Sequence, residues 1–340
     1  MKPLPIAAAA LGAFWLARTI VARRTRYDLA GRTVVVVGGG RGLGLQIARE
    51  AAKRGAKLGL VSRSQAELTT AHDELAADGT PVVTAVADVR DAAAIGAAFA
   101  TIERALGAID VLINDAGVIE VGPVDALRFD DYAEAIDINY LGSVRTVEAV
   151  RPAMQARGEG RIVNIASIGG KVVVPHLLPY CASKFALVAY SEGLRAELAQ
   201  YGIVVTTVVP GLMRTGSPPH AKFAGRTEKE YALFAGTDAL PLLSVSASSA
   251  ARRIVDACER GEIEAAVGWQ ARLAAVAYAL APRTVIRLCS GLARVLPDGG
   301  EAPEHRDGRS SESAVSQSPV FALGHRATVE HNEDVDPATR

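Results

Sequence analysis

The chain predicts an α/β fold, a doubly wound parallel sheet in a single domain, and three observations carry that expectation. Short β-branched runs alternate with longer helical stretches over most of the sequence, the pattern that packs helices on both faces of a parallel sheet. The first run, Thr33-Val34-Val35-Val36-Val37, ends directly in a glycine cluster that opens a helix. Apolar residues make up 49% of the 340 positions, enough to cover a sheet on both sides.

Taken in order, strands are expected at 33–37, 57–62, 82–87, 109–113, 161–166, 203–209 and 263–267. Helices are expected at 42–54, 64–77, 91–106, 130–157, 180–201 and 247–260. In such a sheet ligands gather at the carboxyl ends of the strands. No internal repeat interrupts the series.

The glycine cluster has the spacing Gly38, Gly42, Gly44, with Arg41 and Leu43 between. Strand, glycine turn and helix together form a cradle in which backbone N–H groups and a helix N-terminus hold a pyrophosphate. The spacing differs from the strict G-x-G-x-x-G fingerprint. A second constellation lies downstream: Tyr180 and Lys184 are four apart, and Ser167 precedes the tyrosine by thirteen residues. Positions i and i+4 share one helix face, so the Lys184 ammonium sits beside the Tyr180 phenol. A phenol of pKa near 10 is a poor acid at neutral pH, and an adjacent cation lowers that pKa. A hydroxyl from Ser167 then holds a carbonyl or alcohol oxygen against the phenol, which equips the chain to move a proton while a cofactor moves a hydride.

In this order and spacing, the residues resemble the short-chain dehydrogenase/reductase family over roughly residues 28–268. The glycine turn matches, with Val37 where the family usually has threonine. Asp88-Val89 matches the acidic position near the adenine, and Asn114-Asp115-Ala116-Gly117 matches the Asn-Asn-Ala-Gly turn with Asp115 in place of the second asparagine. Asn139, Ser167, Tyr180 and Lys184 match the catalytic tetrad; Pro210-Gly211 and Thr215 match the segment that contacts the nicotinamide. The resemblance implies a Rossmann-type single catalytic domain over 27–268 and an NADP(H)-dependent carbonyl reductase or alcohol dehydrogenase. Tyr180 is the implied acid and base, Lys184 its electrostatic partner and ribose contact, Ser167 the oxygen anchor, and Asn139 the holder of a relay water. A non-catalytic NADP-binding scaffold or sensor, and an epimerase or dehydratase of the same fold, stay open as alternatives.

Coenzyme choice rests on two arginines. An NAD site offers an acid to the ribose 2′-hydroxyl at the end of the second strand. Here that position is Ser62 followed by Arg63, so no carboxylate is expected to repel a 2′-phosphate and a guanidinium is at hand to bind it. Arg41 is placed by the resemblance near the same phosphate, and NADP(H) is the expected coenzyme. Residues 215–246 form the long insertion in which the family builds its substrate lid. Its apolar groups, Tyr231 and Phe234 among them, point to a lipophilic carbonyl or alcohol substrate.

Charge is balanced at 37 basic and 37 acidic residues, so nothing in the composition calls for nucleic acid. Three widely spaced cysteines, Cys181, Cys258 and Cys289, read as reduced intracellular thiols and not as a disulfide framework or metal site. The six histidines have no ligand spacing. Homo-oligomerisation is compatible with the chain, which sets no oligomeric state.

Both ends extend past a minimal domain. Residues 1–26 hold an apolar run, 4–22, broken by Arg18 and followed by Arg23, Arg24 and Arg26. Its length suits a bilayer, and the positive flank puts the catalytic domain on the cytoplasmic side of a membrane; a soluble cytoplasmic protein with this segment packed on its own domain is the alternative. Residues 269–297 read as two amphipathic helices parted by Pro282, docked on the domain or a membrane surface. Residues 298–340 are rich in Ser, Glu, Asp, Gly and Pro and are expected to be largely disordered.

Overall fold

Strand β1 (Thr33–Val37) is buried at every residue, because both of its faces are covered. Val34 and Val36 belong to one core cluster, Val35 and Val37 to the other, as a side-chain period of two requires. The computed structural model describes residues 26–239, 244–300, 304–313, 315–316 and 322–333. The apolar run 4–22 with Arg23 and Arg24 lies outside the described residues.

Around β1 stand β2 (Lys57–Ser62), β3 (Val82–Val86), β4 (Ile109–Asn114), β6 (Gly160–Ile165), β7 (Ile203–Pro210) and β11 (Glu264–Val267). They form a seven-stranded sheet in the order β11-β7-β6-β4-β1-β2-β3, with every pairing parallel. The chain runs outward from β1 to β3, then returns to lay β4 on the other side of β1. That reversal opens a crevice at the carboxyl ends of β1 and β4. On one face, α1 (Gly42–Lys53), α2 (Gln65–Ala77) and α8 (Ala247–Arg260) cover the sheet; α3 (Ala92–Leu106) and α5 (Gly142–Arg157) cover the other. This is the Rossmann-type doubly wound sheet that the alternation predicts.

The helix expected over 130–157 is divided. α4 (Phe129–Ala135) passes through a π-helical turn, Ile136–Leu141, into α5. Such turns widen the backbone by one residue and favour functional sites; this one carries Asn139 into the interior, fully buried. α6 (Leu178–Leu198) opens two residues before Tyr180, so the phenol and Lys184 share its first turns.

Beyond Thr215 the chain builds a small second layer. A three-stranded sheet pairs β5 (Glu120–Val121) with β9 (Lys222–Gly225) and β9 with β12 (Glu304–Asp307), and α7 (Thr227–Ala239) packs on it. Strands β8 (Met213–Arg214) and β10 (Val245–Ser246) join in a two-stranded ribbon. α9 (Trp269–Leu280) and α10 (Pro282–Ala293) follow, bent by 118° at the break before Pro282.

One expectation is corrected here. The region from 298 onward is not simply disordered: β12 adds to β9 antiparallel, and α11 (Ala322–Glu330) leads into His331, Asn332 and Glu333, all buried. A polar composition hides this because strand addition and side-chain hydrogen bonds, not apolar burial, fix the segment. Arg26, the last residue of the basic flank, is held by the domain. Its guanidinium pairs with Glu259 and, at 2.8 Å, with Asp256 of α8, and the next residue, Tyr27, donates its N–H to the Glu259 carbonyl.

Candidate active site

Glycine makes the cradle because nothing larger fits. At Gly38, with φ +89°, a Cβ would meet the Ala116 nitrogen at 2.7 Å; at Gly44 it would run into the Gly38 carbonyl. The turn at the end of β1 is therefore drawn tightly against the Asp115-Ala116 turn at the end of β4, and Asp115 and Ala116 both donate their N–H groups to the Val37 carbonyl at 2.9 Å. A cavity of about 490 Å³ opens above this junction. It fits a dinucleotide in kind: main-chain amides and a helix N-terminus at its centre, arginines at one end, hydroxyls and an ammonium at the other.

Most of the residues expected at the site line this one cavity. Gly38, Arg41, Gly42 and Leu43 come from the glycine turn; Ser62 and Arg63 from the end of β2; Asp88 and Val89 follow β3. Ala116 and Gly117 follow β4, and Ser167, Tyr180, Lys184, Pro210, Gly211 and Thr215 close the far side. Gly44 lies beneath the cradle as its packing surface. Asn114 lies behind the wall: its amide donates to the Asn164 Oδ1 at 2.9 Å and its Oδ1 accepts from Thr146 at 2.8 Å, tying β4 to β6 and α5. Asn139 also stands behind the wall. Its Oδ1 accepts the Val118 N–H at 2.8 Å, and its Nδ2 donates to the Val118 carbonyl and to Ser183 Oγ at 3.0 and 2.9 Å.

Ser167, 9% exposed, caps the short turn after β6 by accepting the Gly169 N–H at 3.0 Å. Lys184 is buried, with Nζ donating to the Ile165 carbonyl at 2.9 Å and lying 5.7 Å from the Tyr180 ring centre. Burial pushes its pKa down to about 8, against the pull of Asp115. Burial pushes the Asp115 carboxyl up to about 7, opposed by Lys184 and by the Gly44 N–H. The two groups therefore sustain each other's charge in a site that disfavours either alone.

At the opposite end, the expectation that no carboxylate approaches the 2′-position is corrected. Glu67, in the first turn of α2, lines the cavity and is buried; it accepts from Ser62 Oγ at 3.2 Å and stands 3.3 Å from Arg41 Nε. The signal was present in Ser64-x-x-Glu67, in which Ser64 caps the helix and accepts the Glu67 N–H at 3.2 Å; an N3 glutamate is held near the preceding strand end. Arg63 is exposed at the rim, while Asp88 is engaged by Arg90, which holds its carboxyl below the usual range. A second missed residue, Glu333, enters the cavity from the far C-terminal region and pairs with Arg41.

The lid is also corrected. Tyr231 is buried, and with the half-buried Phe234 it packs edge-on against Phe223, at ring-centre distances of 5.4 and 5.9 Å. These apolar groups make the core of the second layer and do not line the cavity. Of the described residues of this segment only Thr215 and Ser217 do, with Met213 just before. Cys181 and Cys258 are buried thiols without a disulfide partner.

A parallel sheet with a glycine cradle at its switch point and a serine, tyrosine and lysine at one end of the cavity defines a doubly wound oxidoreductase domain. A family model for the short chain dehydrogenases matches residues 32–221. The chain is 36% identical to the oxidoreductase UcpA of Escherichia coli (strain K12) over 239 residues, 70% of this chain and 87% of that one. It is 37% identical to dehydrogenase/reductase SDR family member 7B of Mus musculus over 217 residues, 62% of this chain and 67% of that one. Among solved structures it resembles a gluconate 5-dehydrogenase from Burkholderia cenocepacia in complex with NADP and tartrate, with a TM-score of 0.63 and 28% identity over 73% of this chain and 98% of that one. It also resembles the L-sorbose reductase from Gluconobacter frateurii complexed with NADPH and L-sorbose, with a TM-score of 0.63 and 25% identity over 71% and 97%. The chain belongs to the short-chain dehydrogenase family, a family of oxidoreductases.

The Asp115–Lys184 pair yields a prediction with a definite sign. Asp115→Asn removes the negative charge that favours the ammonium, so the Lys184 pKa should fall further below 8, by about one unit. Titrating the Lys184 side chain by NMR in both proteins checks this; an unmoved midpoint would show that the carboxylate does not govern the ammonium.

Proposed function

We propose that the protein interconverts a carbonyl and an alcohol with NADP(H), using Tyr180 as the acid and base. One observation carries the reading: Ser167, Tyr180 and Lys184 line the same cavity as the glycine cradle, so the proton equipment and the dinucleotide site open on each other. The NADP and NADPH named with the two solved relatives support the coenzyme, as do Arg41 and Arg63. Gly38, Gly42 and Leu43 would hold the pyrophosphate, Asp88 and Val89 would flank the adenine, and Lys184 and Thr215 would meet the nicotinamide half. The bound nicotinamide supplies a hydride in reduction and takes one in oxidation.

The chain's own residues do the rest. Ser167 Oγ and the Tyr180 hydroxyl converge on the substrate oxygen. In reduction Tyr180 gives its proton to that oxygen as the carbonyl becomes an alcohol; in oxidation it takes the proton back. The Lys184 ammonium, aimed by the Ile165 carbonyl, stabilises the phenolate, and the positive end of α6 adds to it. Asn139 contributes by position, since its amide already fastens Val118 to Ser183 of α6; a relay water would use the remaining lone pair of its Oδ1. Val118, Ile119 and Met213 in the cavity wall support a substrate with a lipophilic substituent.

Membrane association is part of the same proposal. Among the described residues no single helix is long and apolar enough to cross a membrane. α9 and α10 nevertheless expose Trp269, Leu273, Leu280 and Leu288, each at 60% or more, interspersed with Arg272, Arg283 and Arg287. Such a surface suits lipid whose headgroups are anionic.

Oxidation of NADPH in the presence of an aldehyde and ketone panel tests the reaction. Tyr180→Phe should leave NADPH binding intact and lower turnover by at least about a hundredfold; near-normal turnover would assign the acid elsewhere. Arg63→Ala should weaken NADPH about tenfold and leave NADH nearly unchanged, the loss of one charge-assisted contact to the 2′-phosphate. Equal binding of NADH and NADPH by the wild-type chain would refute that selectivity. Flotation with phosphatidylglycerol vesicles should carry the full chain upward, whereas recovery wholly in the lipid-free fractions would dismiss the membrane.

A further inference from the structure

Residues His331–Glu333 occupy a socket built from the coenzyme cradle itself. The Gly42 N–H donates to the His331 carbonyl at 2.8 Å, and the Asn332 amide donates to the carbonyls of Gly40 and Glu67 at 2.8 and 3.2 Å. The Glu333 carboxylate pairs with Arg41 and lies 3.0 Å from His220 Nε2, and its main-chain carbonyl accepts from Arg309 at 2.7 Å. His331 Nδ1 lies 3.3 Å from the Thr215 carbonyl, so the segment reaches from the glycine turn to the nicotinamide side. All three residues are less than 9% exposed. Asn332 takes a left-handed conformation, φ +59°, which asparagine tolerates better than most residues.

These contacts use the groups a dinucleotide needs. Gly42 has one N–H, and it is given to His331. Arg41 stands between the carboxylates of Glu67 and Glu333, so its charge is already neutralised where a phosphate would meet it. Burial opposes the Glu333 charge, but Arg41 and His220 outweigh it and hold the carboxyl below its ordinary range.

We infer that the segment His331–Glu333 is an intramolecular competitor of the coenzyme, its carboxylate standing in for a coenzyme phosphate, and that dinucleotide binding requires its release. The inference rests on the dinucleotide reading of this cavity. With the cradle filled, only the fraction of molecules with the segment undocked binds, and the apparent affinity falls by that fraction. Because Ala327 and Thr328 of α11 pack on Gly216, where a Cβ would meet Thr328 at 2.6 Å, release also frees the chain beside Thr215 and ties coenzyme entry to the opening of the second layer.

Glu333→Gln keeps the shape of the side chain and deletes its charge. It should tighten NADPH about tenfold by isothermal titration. Hydrogen exchange supplies a second reading that needs no variant. The Glu333 N–H donates to the Thr328 carbonyl at 2.8 Å and should be protected in the coenzyme-free chain, then exchange at least tenfold faster at saturating NADPH. NADPH binding to the full chain with that amide still protected, and with Glu333→Gln no tighter than wild type, would overturn the competitor while leaving the oxidoreductase reading intact. Failure of both wild type and Glu333→Gln to bind any NADP(H) would overturn the two together.

Discussion

The contact on which the rest of the molecule depends is the one between two backbone turns, Gly38–Gly44 after β1 and Asp115–Gly117 after β4. The close approach at Gly38 and Gly44 leaves no room for a side chain, so the turns fit together main chain against main chain, with the Asp115 and Ala116 N–H groups on the Val37 carbonyl. This is possible only where the sheet order reverses and β1 has β4 on one side and β2 on the other. The crevice, the exposed amides and the positive end of α1 are consequences of that contact. So is the burial of Asp115 beside the Gly44 N–H, which brings a negative charge within reach of Lys184. The cofactor end and the proton end of the cavity are electrostatically joined through this turn.

Much of this was legible in the sequence because its signals are local. Five consecutive residues, four of them valine, running into glycines define a buried strand and a turn without reference to anything distant. Tyr180 and Lys184 declare a shared helix face through their spacing alone. What stayed hidden is what depends on chain segments far apart. Glu333 meets Arg41 across 292 positions and His220 across 113, and no pattern near either end announces the meeting. The apolar lid was misread for a related reason: Tyr231 and Phe234 are apolar because they pack on Phe223 of a strand that β12 completes from the chain's last quarter. Composition identifies a group that needs burial, but topology decides which surface buries it.

Asn139 illustrates the limit between the two. Its family position was evident, yet its surroundings were not. In a regular helix from 130 to 157 it would be one interior residue among many. The π turn that divides that helix turns its amide onto both main-chain groups of Val118 and onto Ser183. The residue thus holds the β4 turn against α6, and with it the distance between the cradle and Lys184. A structural clamp and the position that resembles the family's tetrad asparagine coincide in one side chain.

Charge at the adenosine end follows a different logic from that at the proton end. Lys184 is buried and Asp115 half-buried, and the charge of each depends on the other. The sequence offers Arg41 and Arg63 to the same phosphate, and the structure makes them unlike. Arg63 is exposed at the rim and is screened by water and salt. Arg41 is wedged between Glu67 and Glu333, and its positive charge is held firmly by those carboxylates. Glu67 is fixed by Ser62 and by its place in the capped first turn of α2, so it remains whatever else enters the cavity. Glu333 is held by contacts outside the sheet. A cradle of amides and a guanidinium cannot distinguish a phosphate from a carboxylate by charge sign alone; it distinguishes them by how many oxygens and how much charge each brings. A single carboxylate on a tethered segment therefore satisfies the cradle without filling it, and the unfilled remainder, from Arg63 to Tyr180, is the part of the cavity that a full dinucleotide would still have to gain.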